Sequence, residues 1–284
     1  MQLLSYALPD SHNFFFFSDK HEGSILSSQR GWDKMCHMMA SEYEGCGNNY
    51  GGDGGDSIEA IMVDDKRYSI EQLTEARPLV QMQDAIRIRE PIREQLLYML
   101  DGNHDRHLWR FGDIAWEMCR SLGVDYGTTT AKVTIKSKDG TLMYKVFSTH
   151  GFKSITSTAD DPKRREVNKQ LILKRHLKFK AGDCAVMIKG HTHKLLVCKP
   201  ETELYLTDDG KKINQNYTKS GQTEDYIHPD ARWYGNSGSF LRLYGEGISG
   251  YAERFEYDPV EIGFLILRVR DRKIISLDKI YLDI

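Results

Sequence analysis

The sequence predicts an α/β protein of layered helices and mixed sheets, and three observations carry that reading. Short apolar runs that stop at polar or glycine residues read as buried strands: "FFFF" at 14–17, "LLYML" at 96–100 and "CAVMI" at 184–188. Segments with helical spacing lie among them, over 70–97, 113–122 and 164–179. "AKVTIKSKDGTLMYKVFSTHG" holds two alternating segments joined around Asp139-Gly140, an antiparallel hairpin. Strands alternating with helices make parallel pairs and hairpins make antiparallel ones, so both kinds are expected in the sheets.

Along the chain, the phenylalanine strand delivers Asp19-Lys20-His21. On an extended segment residues i and i+2 face the same side, so Asp19 and His21 would offer one oxygen and one nitrogen to a single ion. The glycine-rich stretch "GCGNNYGGDGGDS" at 45–57 reads as a loop with unusual backbone angles or a close approach to a ligand. The helical pattern over 70–97 is interrupted at Pro91, which predicts two helices. The strand at 96–100 stops at Asp101-Gly102. The helix over 113–122 places Ile114, Met118, Cys119 and Leu122 on one face. A basic helix is expected over 164–179, and a buried strand over 184–190 ends in Gly190. Residues 201–229 form a polar insertion, followed by strand-like segments around 240–244, 262–269 and 274–277. Neither an internal repeat nor a low-complexity linker divides the chain, so residues 1–284 are read as one domain.

Composition narrows the classes. A hydrophobic fraction of 40% and a charged fraction of 28% suit a soluble globular protein. The five cysteines (Cys36, Cys46, Cys119, Cys184, Cys198) are odd in number and lack a CxxC pair. That favours free thiols in a reducing compartment over a disulfide framework or a zinc knuckle. The chain lacks a signal-like start and any run of spanning length, so a cytoplasmic protein without a membrane partner is expected. A formal net charge of -2 provides no global pull on nucleic acid, and any such affinity must come from a local patch.

The polar residues after strand ends form a sparse set: Asp19 and His21; Gly55-Asp56-Ser57-Ile58-Glu59; Gly102-Asn103-His104-Asp105; Thr149-His150-Gly151; and Gly190-His191-Thr192-His193. Groups at the carboxyl ends of neighbouring strands converge on one crevice in α/β sheets. The donors are carboxylate, amide and imidazole without thiolate, which suits Mn, Fe, Ni or Zn better than Ca or Mg, and the set is large enough for two ions.

"SDKH", "GDSIE", "GNHD", "THG" and "GHTH" stand in the order of the five blocks of the calcineurin-like metallophosphoesterases, and the chain resembles that superfamily over residues 19–193. "YGNSGSF" resembles the glycine-serine turn that follows the last block. The resemblance implies an αββα sandwich of two mixed sheets with a binuclear metal site at the carboxyl ends of the strands. It implies that one ion takes Asp19, His21, Asp56 and His193, and the other Asp56, Asn103, His150 and His191. Mn is the first expectation for both, with Asp56 bridging through its two oxygens. It further implies that His104 protonates the leaving group, with Asp105 orienting and charging it. "GDGGD" leaves Asp53 as an alternative bridge. Glu59 is expected to hydrogen-bond behind the ligands. Asp64 and Asp65 read as a solvated turn, and His12, His37, His107, His176 and His228 as solvated histidines.

Substrate is less constrained. Glu59-Ala60 replaces the Asp-Arg of the Ser/Thr phosphatases, which disfavours that branch. "DKHEGS" and "GNHD" are similar to the phosphoesterase domain of DNA-repair exonucleases and related phage-encoded proteins. Between Lys163 and Lys180 there are eight Lys or Arg against one acid. Lys174, Arg175 and Lys178 are therefore candidates for contacting a polyanion, the alternative being a solvated basic helix. A phosphodiesterase or nuclease acting on nucleic acid or nucleotides is expected. The alternatives are a phosphomonoesterase and a binding protein that keeps the scaffold without catalysis.

Overall fold

Two six-stranded mixed sheets pack face to face with helices on both outer sides. The computed structural model describes residues 1–222, 225–249 and 251–282. One sheet has the order β14-β13-β2-β3-β4-β5. Its strands are β2 (His12–Phe17), β3 (Asn49–Asp53), β4 (Leu96–Met99), β5 (Asp125–Tyr126), β13 (Gly263–Arg270) and β14 (Lys273–Tyr281). The other has the order β1-β6-β7-β8-β12-β9. It comprises β1 (Gln2–Leu8), β6 (Thr130–Ser137), β7 (Leu142–Thr149), β8 (Val186–Lys189), β9 (Leu195–Cys198) and β12 (Trp233–Ser237). The helices are α1 (Gln29–Ala40), α2 (Pro78–Arg89), α3 (Asn103–Arg106), α4 (Ile114–Leu122), α5 (Pro162–Leu177) and α6 (Tyr251–Arg254).

The phenylalanine run exists because β2 is buried on both faces. Phe15 and Phe17 pack under α1, α2 and α4 with Trp32, Met35, Ala85 and Met118. Phe14 and Phe16, beside Tyr98 of the same sheet, face Val133, Val146 and Ile188 of the second sheet. A strand covered on both sides reads as a continuous apolar run. On the far side, α5 lays Leu173 and Leu177 on Phe147, Met187 and Tyr234.

Several expectations are corrected. Residues 49–53 are a strand, although glycine-rich. A Cβ on Gly52 would lie 2.2 Å from the Tyr98 ring, and one on Gly51 would lie 2.9 Å from Met39. Bulky neighbours on both faces thus exclude ordinary strand side chains there. The first helix expected over 70–97 begins only at Pro78, after a 3₁₀ turn at Ile70–Gln72, and Pro91 sits in a second 3₁₀ turn, Glu90–Ile92. The strand expected around 240–244 is replaced by β12. The polar insertion carries a separate hairpin, β10 (Leu204–Asp208) with β11 (Ile213–Tyr217). β1 went unforeseen. Helix α4 is bounded as its sequence suggests, with Asp113 accepting from Trp116 N at 3.0 Å and Gly123 left-handed at its end. All five cysteines are free thiols, and among the described residues no helix is long and apolar enough to cross a membrane.

His12 is buried, in contrast to its expected solvation. Its Nδ1 donates to the Pro9 carbonyl and its Nε2 faces the Tyr144 hydroxyl, each at 2.7 Å. Burial holds its pKa down to about 4. Between that value and an ordinary histidine pKa the unfolded chain binds the extra proton, so stability falls as pH drops through this window, by up to about 3 kcal/mol. Urea midpoints at pH 7 and pH 4.5 should therefore differ less in His12→Gln than in the parent. An unchanged difference would assign the acid sensitivity to other groups.

Strand register sets the site. Phe17 is level with Asp53, and Asp53 with Met99, so the segments leaving β2, β3 and β4 start at one height. In the other sheet Lys189 is level with Thr149 and Asn236. Within the first edge Asp19 N donates to Gly55 O (2.9 Å), and the two edges meet where His191 N donates to Asp19 Oδ2 (3.0 Å).

Candidate metal centre

Asp19 and His21 lie beyond the strand, so strand alternation does not aim them. Both have left-handed backbones, with φ of 56° and 52°. Asp56 (53°), His191 (71°) and His193 (52°) share that conformation. For residues other than glycine it costs about 1–3 kcal/mol each and persists where the surroundings over-determine it, often at functional sites. The turns send Asp19 and His21 inward while Lys20 points away, bound to Glu22 Oε2 and Ser27 Oγ at 2.7 Å each.

Two adjoining groups of donors, each within reach of one ion, are Asp19, His21 and His193, and Asp56, His150 and His191; His21 also groups with Glu59 and His104. Asp56 Oδ2 lies between them, 3.2 Å from His150 Nε2 and 3.9 Å from His21 Nε2. Asn103 Oδ1 is 3.0 Å from His150 Nε2. His193 Nε2 lies 3.2 Å from Asp19 Oδ1 without hydrogen-bond alignment. Asp19 Oδ1, His21 Nε2 and His191 Nδ1 are buried and have no hydrogen-bond partner among the described residues. Unsatisfied buried polar atoms are costly; Asp19 and His21 belong to the first donor group and His191 to the second, and such atoms fit divalent cations with oxygen and nitrogen ligands.

The surrounding residues orient these atoms. His21 donates from Nδ1 to Glu59 Oε2 (2.8 Å), leaving Nε2 facing the group, as a metal-binding histidine requires. Glu59 is thus a hydrogen-bond partner of His21, and it also groups with His21 and His104 as a possible donor. His150 donates from Nδ1 to Gly54 O at 2.8 Å. Ser18 Oγ bonds Asp19 Oδ2, and Ser239 Oγ donates to the Asp19 carbonyl at 3.1 Å. Gly102 admits the "GNHD" turn, since a Cβ there would lie 2.1 Å from Asp56 Oδ1.

Burial works against charge on His150, yet the Asp56 carboxylate beside it lifts its pKa to about 10. Burial, together with His150, holds His191 down to about 4.

Asp53 turns away from the cluster. Its Oδ2 accepts from Arg89 Nε (2.9 Å) and Nη2 (2.8 Å), and all of this is buried under Trp32. Asp105 is also placed differently from expectation. Its carboxylate accepts from the backbone N–H of Gly102 and Asp56 (3.0 Å each), Ser57 (3.2 Å) and Ile58 (3.4 Å). It pins the Asp56 loop to α3, and the Glu59 carbonyl orients His104 by accepting from Nδ1. Burial, with the Asp56 charge nearby, pushes the Asp105 carboxyl up to about 7.

Arg67 lies at this site without a sequence signal. Its Nη1 is 3.5 Å from His104 Nε2, and its guanidinium is gripped by Asp65 at 2.7 Å, so Asp65 does more than solvate a turn. Asp64 is exposed and pairs with Arg110 at 3.2 Å. His107 is exposed and stacks on His104 at 5.9 Å, while His37 and His228 are exposed on the surface. On α5, Lys174 is engaged by Asp230 at 2.6 Å, and just past its end Lys178 lies over the Phe179 ring. Neither these two nor Arg175 lines the cavity that adjoins Asn103 and His150.

No family model and no curated protein matches the sequence. Among solved structures, the chain is similar to a conserved uncharacterized protein from Streptococcus pneumoniae TIGR4, a predicted phosphoesterase by its description. That likeness has 10% identity and a TM-score of 0.32, over 96% of this chain and 98% of that one. At that score it carries no weight for either fold or chemistry.

Proposed function

We propose that this chain is a metal-dependent phosphoesterase that favours phosphodiesters of nucleotides or nucleic acid. The observation that carries it is the pair of adjoining donor groups, three of whose buried atoms have no hydrogen-bond partner among the described residues. Asp19, His21 and His193 would hold one divalent ion, and Asn103, His150 and His191 the second, with Asp56 shared. Bound there, such ions supply polarisation of the phosphoryl oxygen and acidification of a water. The protein's own residues do the rest. Glu59 and Gly54 fix the imidazole tautomers of His21 and His150. Asp105 holds the Asp56 loop against α3. His104, anchored at Nδ1, presents Nε2 as the proton donor for the leaving oxygen.

Hydrolysis of bis-p-nitrophenyl phosphate and p-nitrophenyl phosphate, measured in parallel with Mn²⁺, tests the reading. The diester should be the better substrate; a preference for the monoester would make the protein a phosphatase. Stripping metal should abolish the activity, and Mn²⁺ should restore it better than Mg²⁺, because an imidazole-rich set disfavours the harder ion. A full rate in protein shown to be metal-free would overturn the proposal. Failure to hydrolyse either ester at full metal loading would leave a binding protein.

A further inference from the structure

A cavity of about 600 Å³ opens beside Asn103 and His150, within the ~300–1,000 Å³ range of small-molecule sites. Arg106, Lys153, Lys180 and Lys189 line it, together with Phe152 and Leu177, and among the described residues no carboxylate does. Two of the cations are already held. Arg106 pairs with Asp101 at 2.9 Å over the Trp109 ring, and the buried Lys189 donates to the Lys153 carbonyl. That last bond ties the segment after β7 to the end of β8. Gly151 allows it, because a Cβ there would lie 2.5 Å from Lys189 Cε.

Lys153 and Lys180 differ from those two. Both are exposed, and neither has an ion-pair partner among the described residues. They come from separate elements, the loop after β7 and the turn after α5, yet line the same hollow. Like charges gathered around an acid-free cavity repel unless an anion enters it. On the other side of His191, a cavity of about 550 Å³ is lined by Glu256 and Asp258 as well as Lys194. The two sides of the candidate centre therefore differ in sign. Phe152, which is 77% exposed and stacked on His191 at 5.5 Å, adds an aromatic surface to the cationic side.

We infer that this cavity binds a nucleotide-sized part of the substrate that carries a second phosphate, with Lys153 and Lys180 as its anion contacts. The inference deepens the phosphoesterase reading and rests on it. The chemistry is shared by a free nucleoside bisphosphate derivative and by the end of a nucleic-acid strand.

Thymidine 5′-(p-nitrophenyl phosphate), with and without a 3′-phosphate, offers the same scissile bond and leaving group with and without the second anion. The 3′-phosphate should lower KM about tenfold, the effect of one good charged contact. In the Lys153→Gln, Lys180→Gln double variant the KM ratio of the two esters should fall to about one. Independently of activity, metal-free protein should bind thymidine 3′,5′-bisphosphate but not thymidine by calorimetry, and the double variant should lose that binding. Competition by a short oligothymidylate at lower concentration than the bisphosphate would identify the strand end as the source. Competition by the bisphosphate alone would identify a free nucleotide. Equal KM for both esters with no bisphosphate binding would overturn the cavity assignment while leaving the phosphoesterase reading intact. Lysine-dependent bisphosphate binding without hydrolysis of either ester would do the reverse.

Discussion

Asp56→Asn should cost the protein at least one metal ion and nearly all hydrolysis, while Asp53→Asn should keep both ions. Asp56 Oδ2 lies within 3.9 Å of both His21 Nε2 and His150 Nε2, so it is the carboxylate placed between the two donor groups. An amide there would leave one coordinating oxygen and remove the charge that the proposed pair of cations would share. Asp53 instead faces Arg89 in a fully buried pair. Removing that carboxylate as Asp53→Ala should lower stability by about 3–5 kcal/mol, the usual consequence of leaving a buried charge unpaired. Metal content by atomic emission and unfolding by urea separate the two outcomes. Loss of metal from Asp53→Asn with retention in Asp56→Asn would exchange their assignments.

His104→Asn and Asn103→Ala, though adjacent, should fail in different ways. Asn103 Oδ1 sits at the His150 side of the centre, so its loss should reduce occupancy of one ion and slow every substrate. The His104 ring is held by the Glu59 carbonyl and does not belong to either proposed ligand set. Its replacement should keep both ions and slow substrates whose leaving alkoxide needs a proton. A positioned general acid contributes about 10²–10⁴-fold, and most of that loss should appear with a dinucleotide. It should be much smaller with a p-nitrophenyl ester, which leaves as a stable anion. Equal losses on the two esters, with metal content preserved, would remove His104 from the proton-donor role.

Much of the fold was legible because it depends on local pattern. The phenylalanine run, the Asp139-Gly140 hairpin, the apolar face of α4 and the basic α5 all follow from side-chain period and turn chemistry. β3 was not, because its glycines answer to Tyr98 and Met39, residues distant in sequence that leave no room for a Cβ. The strand expected around 240–244 failed for a related reason. The chain there packs against the Asp19 loop, with Phe240 N donating to Asp19 O at 3.1 Å, and β12 takes the place in the sheet.

The chain by itself determined which donors are available and that they follow strand ends: carboxylate, amide and imidazole, without thiolate. Both are properties of short stretches. The tertiary structure decided three things that no stretch contains. It turned Asp53 toward Arg89 and left Asp56 between the histidines. It assigned Asp105 to backbone N–H groups and left His104 to the Glu59 carbonyl. It engaged Lys174 with Asp230 while leaving Lys153 and Lys180 open at the cavity. In each case the side chain had more than one chemically sensible partner. The choice fell to whichever group, tens of residues away, packing brought within hydrogen-bond distance.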